Sequence, residues 1–328
     1  MKVLVTGANG FLAANVIREL LARDYQVRGM LRKGCNMQSL IGLEFEKNEG
    51  DITNYNNVCR AVEGCDIVIH IAASTSQAYT SALPLAPVNI FGVANVIKAI
   101  KKDGNVKRMV FVSTANTISQ GTKDRPGTER NGPDPLYKRS GYALSKLKAE
   151  QLVLDEVHKG NIEAVIVNPT FMLGAYDAKP SSGKMIQLYW KKKVKFYPGG
   201  GKNFLHVQSA AIAICNAIHQ GSNGDRYLLA GQSLSFVEFL KRLDKAANCK
   251  SLKIKIPGFV MKFLGGMGSI INSLGFNLEL NYYNACILLA HDYYSPKKAE
   301  EELKLPSTDI DLAIKDAVGW FIENDYLN

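Results

Sequence analysis

Short apolar runs alternate with helical patterns through the first half of the chain, and this alternation limits the fold more than any other feature. The runs are rich in valine and isoleucine and lie at 3–5, 27–31, 67–71, 109–112 and 164–167, with a weaker one at 43–45. Apolar residues at helical spacing fill the stretches between them, as at 12–21, 88–100 and 142–157. Strands that are apolar on both faces are typical of a parallel sheet covered by helices. The sequence therefore predicts an α/β fold with a doubly wound parallel sheet.

The second half of the chain is less regular. Prolines and the Gly199–Gly201 turn interrupt it, helical patterns at 206–219 and 236–247 dominate, and 227–229 reads as one more strand. We predict a first domain over residues 1–170. A smaller, mostly helical substrate lobe follows over 171–328 and returns one strand near 226–230 to the sheet.

The most apolar stretch, residues 259–276, is broken by Lys262, Asn272 and several glycines. A membrane-spanning helix needs about 20 predominantly apolar residues. We therefore predict a helix pair with an apolar face and no membrane span.

Charge and cysteine content narrow the functional classes. The chain has 40 Lys and Arg against 30 Asp and Glu, a formal net charge of +10. Its tightest basic run, Lys191–Lys193, is typical of a solvated helix end, so we expect no nucleic-acid partner. The six cysteines show neither Cys-x-x-Cys nor a Cys/His spacing that fits zinc, so we predict no metal site. The first strand begins at once, which leads us to expect a cytoplasmic protein with reduced thiols.

A glycine-rich turn joins the first strand to the first helix, in the segment TGANGFLA at 6–13. Gly7 allows a tight turn, Gly10 lets the backbone approach a pyrophosphate, and Ala13 lets helix and strand pack closely. The helix N-terminus then faces the phosphates with free N–H groups. The turn predicts a Rossmann domain that binds a dinucleotide through Gly7, Asn9, Gly10, Phe11 and Leu12.

The end of the second strand bears on cofactor choice. NAD-type sites place an acidic residue there to bind the ribose 2′-hydroxyl. This chain has Arg32 and Lys33 instead. Because a guanidinium can grip a 2′-phosphate bidentately, we predict NADP(H) as cofactor, bound partly by Arg32, with NAD(H) as the alternative.

A tyrosine and a lysine four residues apart form the second motif, YALSK at 142–146. Positions i and i+4 share a helix face, so Tyr142 and Lys146 lie side by side. A nearby ammonium lowers the pKa of a phenol, and we expect Lys146 to tune Tyr142 for proton exchange with a carbonyl oxygen. Ser113 and Thr114 end a strand at the edge where such sheets bind ligands. Either hydroxyl could hold the substrate oxygen.

With these motifs the chain resembles the extended short-chain dehydrogenase/reductase superfamily, of the NAD-dependent epimerase/dehydratase type. Within it, the chain looks most like the dihydroflavonol-4-reductase-like branch. The resemblance covers nearly the whole chain and also rests on GDITN at 50–54, HIAAS at 70–74, VSTA at 112–115, VNPTFMLG at 167–174 and NFLHV at 203–207.

The resemblance implies a role for each matching position. It selects Thr114 over Ser113, so the implied catalytic residues are Thr114, Tyr142 and Lys146, and the last two also contact the cofactor. Asn89 either supports the site or packs its helix. Asp51 and Ile52 match positions beside the adenine. The remaining cofactor contacts lie along the strand ends and near the nicotinamide: Ala72, Ala73, Ser74, Asn168, Pro169 and Thr170.

Two short segments depart from the family's pattern. Gln208 and Ser209 stand where acids usually follow NFLHV, which loosens any fixed role for His206. Ala115 and Asn116 replace the acid pair of the sugar dehydratases, which disfavours dehydration.

We therefore expect an NADP(H)-dependent oxidoreductase that reduces an aldehyde or ketone, a small-molecule substrate, with Tyr142 as general acid/base. One alternative is an NAD-dependent nucleotide-sugar epimerase that uses the same pair. Another is a non-catalytic NADP(H)-binding or sensor protein, which would not need the intact Thr/Tyr/Lys set. The resemblance also implies a homodimer, built through the helices that bear Asn89 and Tyr142.

Overall fold

A computed structural model describes residues 1–276, 278, 280–307 and 309–327. Its central sheet has seven strands, all parallel, in the order β10-β6-β5-β4-β1-β2-β3. These strands are β1 (Lys2–Thr6), β2 (Gln26–Leu31), β3 (Glu46–Glu49), β4 (Ile67–His70), β5 (Arg108–Val112), β6 (Ala164–Pro169) and β10 (Arg226–Leu229). The sheet confirms the predicted fold class.

Helices cover both faces of the sheet. They are α1 (Phe11–Ala22), α2 (Tyr55–Val62), α3 (Gly92–Asp103), α4 (Gly141–His158) and α6 (Val207–Asn216). Side chains of β1 show the two layers, since Val3 and Val5 join the core of α1 and α6 while Leu4 joins the core of α2, α3 and α4. Each central strand is buried on both sides, which explains its continuous apolar run.

Two boundaries in this half differ from the sequence prediction. The third strand lies at Glu46–Glu49, after the apolar residues 43–45. It is an exposed edge strand that pairs with β2 through its backbone, so its side chains need not be apolar. The helix predicted over 88–100 begins as one turn of π-helix, Pro87–Phe91, before α3.

The C-terminal lobe has its own helices and small sheets. Its helices are α5 (Lys184–Tyr189), α7 (Phe236–Ala246), α8 (Gly258–Ser273), α9 (Tyr282–Leu289), α10 (Lys297–Glu302) and α11 (Ile310–Glu323). Its strands are β7 (Phe171–Leu173), β8 (Val194–Tyr197), β9 (Gly201–His206), β11 (Gln232–Ser235), β12 (Leu252–Lys255) and β13 (His291–Asp292). Strand β9 pairs with β7, β11 and β13, while β8 pairs with β12.

The lobe is anchored by an aromatic core in which the Phe204 and Phe239 rings stack with centroids 4.8 Å apart. The chain returns to the large sheet through β10, which lies beside β6. The predicted helix pair over 259–276 is wrong, because this stretch is the single helix α8, whose packing partner α9 comes later in the chain.

Among the described residues, no helix combines the length and apolarity needed to cross a bilayer. Within the same residues, no three His, Cys, Asp or Glu side chains cluster closely enough to hold a metal ion.

Candidate active site

The glycine-rich turn leaves the start of α1 open. Gly7 has a φ of +68°, and a Cβ there would lie 2.9 Å from the Cα of Ala72. Gly10 caps α1 without a side-chain hydrogen bond, and the first turn has no acidic residue. The N–H groups of Phe11 and Leu12 are therefore free to bind an anion. The Asn9 side chain instead donates to the backbone oxygen of Asn36, 3.1 Å away.

Thr6 links this turn to the segment after β4. Its hydroxyl accepts hydrogen bonds from the backbone N–H groups of Ile71 and Ala72, each at 3.1 Å. The hydroxyl therefore donates to Nδ1 of His70, 2.9 Å away. Burial lowers the pKa of His70 to about 3, with a further contribution from Lys146, so this imidazole is neutral. The segment containing Ala73 is thus held against the glycine turn.

The region predicted to hold the adenosine lies beside β2 and α3. Ile52 is buried and packs against Gly92, and its backbone oxygen accepts from Asn95. Hydrogen bonds from the N–H and hydroxyl of Thr53 lower the pKa of Asp51 against the opposing effect of burial. The positive charge of Arg32 lowers the pKa of Asp51 further. The exposed Arg32 guanidinium therefore lies near Asp51.

The predicted catalytic side chains converge at the carboxyl end of β5. The Thr114 hydroxyl lies close enough to the Tyr142 phenol to lower its pKa. Ser113 is buried, and its hydroxyl has no hydrogen-bond partner within the described part of the chain. Lys146 is also buried, and its Nζ donates to the backbone oxygen of Val112 at 2.7 Å. The structure thus brings Thr114, Tyr142 and Lys146 to one edge of the sheet.

The electrostatics differ from the expectation that Lys146 lowers the pKa of Tyr142. Burial raises the pKa of Tyr142 to about 12, and the neighbouring Thr114 hydroxyl partly opposes this shift. Burial also lowers the pKa of Lys146 to about 7, partly offset by Glu150. The lysine is directed to Val112 and over the Phe111 ring, 4.3 Å from its centroid. Tyr142 is consequently a protonated phenol at neutral pH.

Asn89 connects two segments of the site. Its amide oxygen accepts from the Ser74 N–H at 2.7 Å, and its nitrogen donates to the Ser74 oxygen and the Ser145 hydroxyl, each at 2.9 Å. The side chain is 1% exposed. Both functions that the sequence left open, site support and helix packing, are therefore combined in this one amide.

A buried carboxylate that the sequence reasoning missed lies behind Thr114. Glu150 Oε1 accepts from the Thr117 hydroxyl and the Asn168 amide, each at 2.7 Å. The Asn168 amide also donates to the Thr114 backbone oxygen at 3.1 Å. Spacing was an available signal, because Glu150 follows Lys146 by four residues and shares its helix face.

The Asn168 amide is thus bonded within the network of Glu150, Thr117 and Thr114. Pro169 ends β6. The hydroxyl of Thr170 donates to Oδ1 of Asn203, which is itself buried, at 2.9 Å. His206 lies 3.2 Å from a carboxylate oxygen of Asp316 and is likewise a packed side chain of the second lobe.

The chain is similar to several known proteins. Residues 3–230 match the model of the NAD dependent epimerase/dehydratase family. A Synechocystis protein named dihydroflavonol 4-reductase is 29% identical over 331 residues, covering 98% of this chain and 95% of that protein. Sterol demethylase protein B of Methylococcus capsulatus is 27% identical over 330 residues, which cover 98% of this chain and 99% of that protein. UDP-glucose 4-epimerase of Thermus thermophilus, solved with NAD, shares the fold with a TM-score of 0.78 at 19% identity, covering 98% of this chain and 99% of that one.

Proposed function

This chain belongs to the NAD dependent epimerase/dehydratase family and is an NAD(P)-dependent oxidoreductase, and from that premise we propose that it reduces an aldehyde or ketone with NADP(H). The family membership confirms the superfamily resemblance inferred from the motifs. The observation that carries the finer proposal is the placement of the Thr114 hydroxyl beside a protonated Tyr142 at the carboxyl edge of the sheet.

The turn at 6–13 fits a bound dinucleotide. The uncapped N-terminus of α1 offers N–H groups to a pyrophosphate, and Gly7 admits no side chain beside Ala72. Arg32 is the residue we propose for the 2′-phosphate, since it follows β2 where an NAD site would carry an acid. When bound, the reduced nicotinamide supplies the hydride.

Tyr142 supplies the proton. A pKa of about 12 keeps its hydroxyl protonated, which suits donation to a carbonyl oxygen that is gaining negative charge. The Thr114 hydroxyl, next to it, orients that oxygen and stabilises the charge. Donation leaves a phenolate on Tyr142, which regains its proton from solvent before the next turnover.

Lys146 and the network around Glu150 prepare the site. Lys146 fixes the end of β5 through Val112, and we propose that it holds the nicotinamide ribose when the cofactor is present. Glu150 orients Asn168, which in turn holds the Thr114 backbone. These bonds limit the freedom of Thr114 before a substrate arrives, the preorganisation that carbonyl reduction needs.

We also propose the surroundings of this chemistry. Residues 1–170 form the cofactor domain and 171–328 the substrate lobe, with β10 returned to the sheet. Exposed Phe91 and Leu83, 60% and 80% exposed, support a homodimer formed beside the Asn89 segment. The protein is proposed to act in the cytoplasm on a small molecule.

The test is NADPH consumption against a panel of aldehydes and ketones, with Tyr142→Phe as the variant. Loss of the acid should lower kcat by roughly 10²–10⁴-fold, with NADPH affinity within about threefold in calorimetric titration, because the hydroxyl contributes mainly to proton transfer.

Tyr25→Phe is the matched control, since Tyr25 precedes β2 at the opposite edge of the sheet and its hydroxyl bonds only with His219 among the described residues. Full turnover by Tyr142→Phe would refute the role of Tyr142. Equal losses in both variants would show a general effect on the fold.

A further inference from the structure

An exposed apolar ribbon lies on the C-terminal lobe. Strands β8 and β12 run parallel, with Lys195 opposite Lys253 in register. Both lysines pair with Asp244 on α7, so this face of the ribbon is directed into the lobe. Because side chains alternate along a strand, the other face carries only apolar side chains, which are 38–61% exposed: Val194, Phe196, Leu252 and Ile254.

Helix α8 follows β12 after a two-residue connection. Its buried face carries Met261, Gly265 and Gly268, and a Cβ at Gly265 would lie 2.6 Å from the Cβ of Ala285 on α9. Its outer face carries a stripe of large apolar side chains at spacings of three and four. These are 47–76% exposed: Phe259, Phe263, Met267, Ile270 and, just past the helix end, Leu274.

The two segments that carry these residues are basic. The sequence has no Asp or Glu from 178 to 224, nor from 245 to 278. Exposed lysines flank the ribbon and α8 at 191, 192, 193, 250, 255 and 262. Large apolar residues on one face with lysines around them are typical of segments that lie in the interface of a bilayer.

We propose that this apolar–basic patch, formed by the four ribbon residues, the five stripe residues and the six lysines named above, docks on the surface of an anionic lipid bilayer. The lysines would meet lipid phosphates while the stripe enters the boundary of headgroups and acyl chains. Helix α8 lies along the surface in this arrangement, in keeping with the lack of a membrane-crossing helix among the described residues.

Charge complementarity favours a bilayer over a second copy of the chain. A two-fold contact brings the same patch of each copy together, and here it would set six lysines against six lysines with no acid from either segment to pair them. An apolar surface of this extent is also unusual on a protein that has no partner for it. This inference does not depend on the proposed reaction.

The experiment is flotation of the full chain with phosphatidylcholine vesicles, with or without phosphatidylglycerol. The wild type should bind only the anionic vesicles and dissociate at high salt. The double variant Phe259→Ser/Phe263→Ser should lose binding. The triple variant Lys191→Glu/Lys192→Glu/Lys193→Glu should bind at least about tenfold more weakly.

A charge-matched triple, Lys47→Glu/Lys102→Glu/Lys148→Glu, changes exposed lysines on the cofactor domain and should bind like the wild type. Unchanged thermal midpoints and NADPH titrations establish that each variant is folded. Failure of the wild type to bind, unimpaired binding by Phe259→Ser/Phe263→Ser, or an equal loss in the control triple would overturn the proposal. One result on oligomeric state would also overturn it. If, without vesicles, the wild type is a dimer and Phe259→Ser/Phe263→Ser is a monomer, then a second copy of the chain covers the patch.

Discussion

Replacing Lys146 by methionine should stabilise the protein at acidic and neutral pH while it removes activity. Burial lowers the pKa of Lys146 from 10.5 to about 7, so the fold disfavours the charged form. The difference corresponds to about 5 kcal/mol at 1.36 kcal/mol for each pKa unit. Methionine has a similar length and carries no charge, and it gives up the bond to Val112 and the contact with Phe111, together worth about 2 kcal/mol. A net gain of about 3 kcal/mol follows at pH 6.

The stability advantage of Lys146→Met should decrease as the pH rises. Below pH 7 both states of wild-type Lys146 are protonated, and the penalty on the folded state is complete. Between about 7 and 10.5 the unfolded chain binds the proton and the folded chain does not, so wild-type stability rises with pH. At pH 9 about 2 kcal/mol of the penalty remains, and the advantage of Lys146→Met should be close to zero.

Urea unfolding of both proteins at pH 6 and pH 9 measures this change, because other titrating groups cancel in the difference between them. Lys148→Met is the matched control, since it removes an exposed lysine from the same helix. A Lys146→Met variant that is less stable than the wild type at pH 6, or whose advantage does not shrink at pH 9, would refute the reasoning.

Two further predictions concern buried polar contacts. Asn89→Leu leaves three hydrogen-bonding groups without their partner and should cost about 2–4 kcal/mol in urea unfolding; an unchanged midpoint would show that Asn89 only fills space. Asp244→Ala leaves Lys195, 0% exposed, without its counter-ion and should cost about 3–5 kcal/mol at pH 7. Burial would raise the pKa of Asp244, but hydrogen bonds from Lys195, Lys253 and Ser251 outweigh it and hold the pKa well below 3.8. This stabilisation is present above pH 3.8 and is lost as the pH falls below it, so the Asp244→Ala penalty should shrink in acid, and a penalty that grows there would contradict the assignment.

Local sequence patterns were enough to predict the central sheet. Each inner strand is buried on both faces and so reads as an apolar run, and the glycine turn adjoins β1 as expected. The edge strand Glu46–Glu49 gave no such signal, because its pairing with β2 is a backbone interaction that charged side chains tolerate. Short strands such as β7 and β13 depend on tertiary contacts with β9, which no local pattern records.

The sequence predicted which residues lie at the candidate catalytic site, but it did not predict how their side chains interact. Helical spacing placed Tyr142 beside Lys146, but burial, which the sequence does not give, reversed the expected pKa shift of Tyr142. The same limit explains Asn168, whose position at the end of β6 was clear while its bond with Glu150 was not. The exposed stripe on α8 was visible as an apolar segment, but only the structure shows that α9 packs against the helix at Gly265 and leaves the stripe exposed.

The most direct test of the central claim is calorimetric titration of the purified protein with NADPH, NADP⁺, NADH and NAD⁺, repeated with Arg32→Ala. An Arg125→Ala variant controls for the loss of an exposed arginine elsewhere. An NADP(H)-dependent reductase should prefer the phosphorylated pair, and Arg32→Ala should weaken NADPH at least about tenfold while NADH changes less than about threefold, because only NADPH carries the 2′-phosphate. Tight NAD binding, or equal losses for both cofactors in Arg32→Ala, would contradict the account and favour nucleotide-sugar epimerisation.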